Sequence, residues 1–287
     1  VLGGGYLGGE IQTGLSKQHK RTQKKQRLIE LEVRDIKGYD VIINATGKTD
    51  LAWCEDNGDL ARAANVTEVI RLLDLVKKAD SRLIHLSSGC IWKGPWRVDG
   101  EPFEPDDPPS PTCVYTQTKV EAEKQLWQNA TDPGMLSVLR IRMPYGYNDH
   151  PRNLISKIQK YEKLIDDPNS MTSVKSLLLT INSLLTTKLL WGRATSVYDY
   201  GVMSPYRIGI MLTKAGVRNP PILIEKSDMD GWHKPQRVST VMCDVAYENT
   251  IDAPNVDVEV PTAILQLRRF YCAKKGPPDD RSSKSSC

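Results

Sequence analysis

A chain of 287 residues with 39% hydrophobic side chains is long enough to bury a full core in one large or two smaller domains. The apolar runs stay short of the roughly 18 residues of a membrane span, so we expect no membrane partner and a cytoplasmic location. Six scattered cysteines without Cys-x-x-Cys pairs predict reduced thiols and no metal site. The net charge of +4 is mild, so we expect no nucleic-acid partner.

The first nine residues, VLGGGYLGG, combine a short apolar strand with a glycine-rich turn. Their G-x-G-x-x-G spacing allows the backbone to approach a pyrophosphate at the N-terminus of a helix. An ordinary glycine-rich turn is the alternative. The predicted cofactor contacts of this turn are Gly3, Gly5, Gly8, Tyr6 and Leu7.

The segment before residue 39 contains few apolar residues and no acidic residue placed to bind a ribose hydroxyl. Its basic stretch, residues 17–27, could neutralise a 2′-phosphate, which favours NADP(H) over NAD(H) as the cofactor. A solvated loop is the alternative interpretation. We therefore expect NADP(H), with NAD(H) as the alternative cofactor.

Strand and helix patterns then alternate. Residues 39–47 and 82–88 read as buried strands, and residues 60–79 between them read as a helix. This alternation predicts an α/β fold with a doubly wound parallel sheet, the Rossmann arrangement. Ligands lie at the carboxyl ends of such strands. The cofactor contacts expected here are Ala45, Thr46, Gly47 and Asn65.

A Pro-rich loop, residues 101–114, separates this strand from a helix predicted over 115–128. Tyr115 and Lys119 stand four residues apart, so both side chains lie on one face of that helix. An ammonium group beside a phenol predicts a lowered pKa for Tyr115 and a usable proton donor. Ser88 ends the preceding strand, where its hydroxyl could bond a substrate carbonyl. A chance pair on an amphipathic helix is the alternative.

The second half of the chain predicts a strand at 136–146, a helix over 150–164 capped by Asn148 or Asp149, and further helices over 177–193 and 206–216. Residues 1–145 are predicted to form the dinucleotide-binding domain. Residues 146–276 form a smaller, interleaved substrate-binding lobe, with a return to the sheet near 193–199. Residues 277–287 are polar and low in complexity, so we expect a disordered tail.

The chain resembles the extended short-chain dehydrogenase/reductases of the dTDP-4-dehydrorhamnose reductase type. Within them it is most similar to the bifunctional 3,5-epimerase/4-reductases that complete nucleotide-rhamnose synthesis. The motifs that carry this resemblance are DVIINATGKTD (40–50), WCE (53–55), SGCIW (88–92), YTQTK (115–119), LRIRMP (139–144), PRNLISKI (151–158) and PNSMT (168–172).

The resemblance implies that Ser88, Tyr115 and Lys119 reduce the C4 ketone of a nucleotide-linked 4-keto-6-deoxy-hexose with NADPH. It implies that Cys90 and Lys157 move protons at C3 and C5 before reduction, with His150 as the rival of Lys157. It also implies a homodimer. The substrate contacts expected from it are Ser88, Gly89, Cys90, Arg142, Arg152 and Asn153.

Two other functions stay open at this point. One is a 4-ketoreductase or epimerase for another deoxy sugar, with no chemistry at Cys90. The other is a catalytically silent dinucleotide-binding protein that regulates a partner enzyme, which this fold also supports.

Overall fold

The structure is a computed structural model, which describes residues 1–15, 19, 22–229 and 238–274. The predicted tail, residues 277–287, lies outside the described residues, and so does part of the basic stretch 17–27. The strands are β1 (Val41–Asn44), β2 (Arg82–Ser88), β3 (Leu136–Ile141), β4 (Lys163–Leu164), β5 (Ala194–Val197) and β6 (Ile222–Leu223). The helices are α1 (Tyr6–Gly14), α2 (Val33–Ile36), α3 (Leu51–Asp56), α4 (Gly58–Arg62), α5 (Glu68–Lys78), α6 (Val114–Asn129), α7 (Leu154–Ile158), α8 (Val174–Thr186), α9 (Pro205–Lys214), α10 (Val245–Glu248) and α11 (Val256–Lys274).

A parallel sheet in the order β1-β2-β3-β5 forms the centre of the molecule. Its register pairs Ile43 of β1 with Ile84 of β2. Beside β1, Leu2 forms parallel bridges to both Asn44 and Lys24, so the short N-terminal strand joins the same sheet. Parallel neighbours connected by helices are the arrangement that strand–helix–strand alternation predicts. The predicted α/β fold class is confirmed.

Alternate residues of the strands face two separate helical layers. Ile43 and Ile84 pack in one core with apolar residues of α1 and α8. Ile42 and Leu83, their neighbours in sequence, pack in another core with α5 and α6. Because both faces are covered, the strands are buried on two sides and read as nearly continuous apolar runs.

A third core lies in the smaller lobe, where α7, α9 and α11 pack around Tyr145 and Met203. The chain enters this lobe after β3, comes back to the sheet with α8 and β5, and then leaves it again for α9. The lobe also holds a parallel pair of two-residue strands, β4 and β6. Among the described helices, none is both long enough and apolar enough to cross a bilayer.

The helix predicted over residues 150–164 is much shorter in the structure, since α7 covers Leu154–Ile158. Its N-cap is Asn153, whose Oδ1 accepts a hydrogen bond from the Ile155 N–H at 3.1 Å. The expectation of a cap at Asn148 or Asp149 is therefore wrong. The last two residues of the predicted helix, Lys163 and Leu164, instead form β4 and pair with β6. Strand pairing far along the chain thus overrides the local helical pattern.

Candidate active site

The glycine-rich turn lies at the carboxyl edge of the sheet, beside the end of β1. Gly3 has φ +112°, and a Cβ there would come within 2.8 Å of the Ala45 carbonyl oxygen. A Cβ on Gly8 would come within 2.2 Å of the Gly3 carbonyl oxygen, so both positions exclude a side chain. Gly5, the N-cap of α1, has open space around the same position. The turn therefore packs tightly on the strand and has open space at Gly5, where α1 begins and an anion would be placed by the helix N-terminus.

The two non-glycine residues of this turn point away from that open space. Tyr6 is buried and stacks on the His150 ring, with ring centroids 4.8 Å apart. Its hydroxyl has no hydrogen-bond partner among the described residues, and burial raises its pKa. Leu7 packs against the apolar core. Any cofactor contact of Tyr6 and Leu7 would therefore involve their backbone groups.

Asn65 fixes the loop that follows β1. Its Oδ1 accepts from the Lys48 N–H at 2.8 Å, and its Nδ2 donates to the Lys48 carbonyl at 3.0 Å and to the Thr118 hydroxyl at 3.0 Å. Gly47 has φ +147°, and a Cβ there would lie 3.7 Å from Lys119 Nζ. Asn65 thus holds the loop of Ala45, Thr46 and Gly47 next to α6.

Ser88, Tyr115 and Lys119 come together where β2 ends and α6 begins. The Ser88 hydroxyl lies close enough to the Tyr115 phenol to influence its pKa. The Ser88 hydroxyl also accepts from the Cys90 N–H at 3.1 Å. Lys119 is buried, and its Nζ donates to the Leu86 carbonyl of β2 at 3.2 Å. A hydroxyl, a phenol and an ammonium group therefore lie within one turn of the strand end.

The electrostatics of this group differ from the sequence prediction. Burial raises the pKa of Tyr115, and the neighbouring Cys90 adds to the rise, while the neighbouring Ser88 hydroxyl acts to lower the pKa. Burial lowers the pKa of Lys119 to about 8. The expectation of a lowered Tyr115 pKa is wrong because burial has the largest effect on the phenol and disfavours its charged form. Tyr115 is thus protonated at neutral pH.

A cavity of about 660 Å³ opens between the sheet edge and the lobe. Of the predicted substrate and proton-transfer residues, Cys90, Arg142, Arg152 and Lys157 line it. This volume falls within the range of roughly 300–1,000 Å³ that ligand pockets occupy. The side chains that sequence reasoning missed in the lining are Lys160, Tyr161, Lys163 and Asn169. Asn169 belongs to the PNSMT segment, and the resemblance of this segment to the family is the feature of the sequence that could have identified Asn169 as a site residue.

The other predicted substrate and proton-transfer residues lie outside this lining: Ser88, Gly89, Tyr115, Lys119, His150 and Asn153. Asn153 is fully buried, and its Nδ2 donates to the Gly146 carbonyl at 2.9 Å while its Oδ1 caps α7. Gly89 packs under Met242, whose sulfur would be 2.4 Å from a Cβ on that glycine. His150, the rival acid/base, stacks on Tyr6, and its Nδ1 accepts from the Arg152 N–H at 3.0 Å.

Arg142 forms hydrogen bonds both to Cys90 and to two other residues that line the cavity. Its Nη1 donates to Cys90 Sγ at 2.7 Å, and its Nη2 donates to Asn169 Oδ1 at 2.6 Å and to the Val238 carbonyl. Among the described residues, no cluster of three or more histidine, cysteine, aspartate or glutamate side chains could hold a metal ion.

Comparison with known proteins identifies the family. Residues 4–174 match the RmlD substrate binding domain. The chain is 33% identical over 165 residues to the bifunctional dTDP-4-dehydrorhamnose 3,5-epimerase/dTDP-4-dehydrorhamnose reductase of Arabidopsis thaliana, a match that covers 55% of this chain and 53% of that protein. The chain therefore spans about half the length of this curated relative.

Solved structures agree on the fold. The UDP-rhamnose synthase of Acanthamoeba polyphaga mimivirus superposes with a TM-score of 0.81 at 19% identity, covering 93% of this chain and 98% of that one. The dTDP-4-dehydrorhamnose reductase of Bacillus anthracis, in complex with NADP, gives a TM-score of 0.71 at 16% identity and covers 95% and 96% of the two chains. The sequence resemblance is confirmed at the level of the family. Because the family match covers more than half of its residues, the chain belongs to the RmlD substrate-binding domain family.

Proposed function

We propose that this protein is an NADP(H)-dependent reductase that acts on the C4 ketone of a nucleotide-linked 4-keto-6-deoxy-hexose, after epimerisation at C3 and C5. The observation that carries the proposal is that Ser88 and Tyr115 meet at the strand end, with Lys119 one helical turn away and bonded to the Leu86 carbonyl. The names of the Arabidopsis relative and of the mimivirus synthase support the same chemistry. The product would be a nucleotide-linked L-rhamnose or a related deoxy sugar.

The residues present fit a dinucleotide. The first turn of α1 contains no acidic side chain, and Gly5 leaves open space in front of its N–H groups. Lys25 is exposed, and its Cγ lies 3.0 Å from the position of a Cβ on Gly4. Lys24 is instead paired with Asp35 at 3.2 Å. Among the described cations of the basic stretch, Lys25 is thus the one beside the turn, which supports NADP(H) over NAD(H).

Reduction needs a hydride donor, an oriented carbonyl and a proton. A bound reduced nicotinamide would supply the hydride. Ser88 would donate a hydrogen bond to the C4 oxygen and hold the carbonyl in place. Tyr115 would then give its proton to the developing alkoxide, a role that suits a phenol whose pKa is raised. Lys119 would support this transfer as the nearby cation.

Epimerisation needs a base and an acid in the substrate cavity. A C4 ketone acidifies the hydrogens at C3 and C5, so a base can remove one of them and leave an enolate. Cys90 and Lys157 both line the cavity, and a thiol and an amine can each take one of these two roles. Arg152, Lys160 and Lys163 line the same cavity and offer positive charge to the diphosphate of a nucleotide sugar.

The test uses NADPH and a nucleotide-linked 4-keto-6-deoxy-glucose in deuterated water, followed by NMR of the product. We expect oxidation of NADPH together with deuterium at C3 and C5. Cys90→Ser and Lys157→Met should lose the deuterium, whereas Cys243→Ser, a partly exposed cysteine outside the cavity lining, should keep it.

The other outcomes identify the alternatives. Oxidation of NADPH without deuterium at these carbons would leave a plain 4-ketoreductase in which Cys90 is inert. Binding of NADPH without turnover of this or other keto sugars would favour the silent regulatory protein. The proposed homodimer rests on the family resemblance alone, and analytical ultracentrifugation tests it.

A further inference from the structure

The contacts of Arg142 favour a different role from the substrate contact expected from the sequence. Its Nη1 reaches Cys90 Sγ at 2.7 Å, and its Nη2 is held by Asn169 Oδ1 and the Val238 carbonyl. The remaining nitrogen, Nε, is shielded from solvent and has no hydrogen-bond partner among the described residues. The guanidinium is thus fixed against the thiol, with two of its three nitrogens bonded to the protein itself.

We propose that Arg142 is a positioning residue that holds Cys90 in its anionic form, ready to accept a proton from substrate carbon. A guanidinium stays protonated at every pH of interest, and a thiolate accepts its N–H far better than a neutral thiol does. A cation beside a cysteine is also the usual environment of a reactive thiolate. The proposal deepens the proposed epimerase step and rests on it for its biological meaning.

The guanidinium of Arg142 is shielded from water and held in place by its partners, so it can hold the Cys90 thiolate. Arg142 is 8% exposed, so little water competes for its N–H groups. Asn169 Oδ1 also accepts from the Thr240 N–H at 3.1 Å, which fixes the amide and, through it, the guanidinium. The partners lie far apart in the sequence, and the lobe is required to bring them together.

The surroundings of Cys90 agree with a negative charge there. Tyr115 of α6 lies close enough to Cys90 for the two groups to interact. The charged or titratable groups that line the same cavity are Cys113, Arg142, Arg152, Lys157, Lys160, Tyr161, Lys163 and a single carboxylate, Glu162. Cations thus outnumber acids in this lining. A thiolate can act as a base and a protonated phenol can act as an acid. The epimerisation needs the base and the reduction needs the acid.

In the proton transfer, the Cys90 thiolate takes a proton from the carbon next to the ketone and becomes a neutral thiol. The electron pair of the broken C–H bond passes into the enolate, and a proton from the opposite face, offered by Lys157, restores the carbon in inverted configuration. Arg142 takes no proton at any stage.

The experiment measures alkylation of Cys90 by iodoacetamide from pH 5.5 to 9.5 and assigns the site by peptide mass spectrometry. It needs no substrate, so it remains decisive even if the proposed function fails. We expect Arg142→Met to slow alkylation of Cys90 at pH 7 by about tenfold or more, because an ordinary thiol is only a few per cent ionised there. Arg142→Lys, which keeps the charge, should restore part of the rate.

Arg152→Met is the matched control, since it removes an exposed cation of the same cavity that does not touch Cys90. Its alkylation profile should follow the unmodified protein. If Arg142→Met proves unfolded by circular dichroism, Arg142→Gln replaces it, because the amide retains polar contacts for Asn169 and the Val238 carbonyl. A folded Arg142→Met or Arg142→Gln protein with an unchanged profile would overturn the proposal.

Discussion

The buried Lys119 should lower the free energy of unfolding of the protein at neutral pH. Burial lowers its pKa from 10.5 to about 8, and at about 1.4 kcal/mol per pKa unit this corresponds to about 3 kcal/mol against the folded state. Below pH 8 the lysine is charged in both the folded and the unfolded chain, so the whole cost is present. Between about pH 8 and 10.5 the folded chain releases its proton first, and the cost declines.

Lys119→Met should therefore stabilise the protein at neutral pH while it removes the proposed reductase activity. The substitution also loses the hydrogen bond to the Leu86 carbonyl, which contributes about 1 kcal/mol. The net gain in the free energy of unfolding at pH 7 is then about 2 kcal/mol by these estimates. Above pH 10.5 the lysine is neutral in both states, so the gain should disappear and the loss of about 1 kcal/mol from the missing hydrogen bond should remain.

Urea denaturation at five pH values between 6 and 10.5 measures this difference. Lys124→Met provides the control, since Lys124 is exposed on the same helix and should give no difference that varies in this window. Two results would refute the reasoning: a Lys119→Met protein less stable than the parent at pH 7, or a difference that stays constant from pH 7 to pH 10.

Two further predictions follow from the site and its support. Tyr115→Phe removes the proton donor and should lower kcat by about 10²–10⁴-fold. NADPH binding, measured by fluorescence titration, should be retained. Undiminished turnover would contradict the role proposed for Tyr115. Arg140→Met leaves the buried Glu123 carboxylate without the Nε and Nη2 donors that bond it at 3.0 and 2.7 Å. It should lower the free energy of unfolding by about 3–5 kcal/mol in urea titrations, and a loss below about 1 kcal/mol would show that Glu123 finds another partner.

The parts of the fold with strong local patterns could be predicted from the sequence. The apolar run that became β2 was predicted at its observed bounds, Arg82–Ser88. Helix α6 begins one residue before the predicted start, directly after the Pro-rich loop. Burial on both faces makes such strands apolar throughout, and prolines end helices sharply, so both signals are contained in a few neighbouring residues.

Features that depend on distant partners could not be predicted in this way. Helix α11 contains Pro261, which reads as a helix breaker, yet Val260 and Ile264 on either side of it pack into the core of the lobe. The raised pKa of Tyr115 depends on burial, which spacing along a helix does not reveal. The partners of Arg142 lie 27 and 96 residues further along the chain, so its role became visible only in the folded molecule.

The position of β5 has a consequence for how the chain can fold during synthesis. β5 pairs with β3 from Val138 to Ile141. Residues 142–193, which include α7, β4 and α8, separate the two strands in the sequence. A nascent chain that has reached only residue 174, where the family match ends, leaves β3 with a row of unpaired N–H and C=O groups. Such an unpaired strand can form hydrogen bonds with strands of other chains, which leads to aggregation. The half that contains the main sheet therefore completes this sheet only after part of the lobe and α8 have been made, and the two halves should unfold as one cooperative unit.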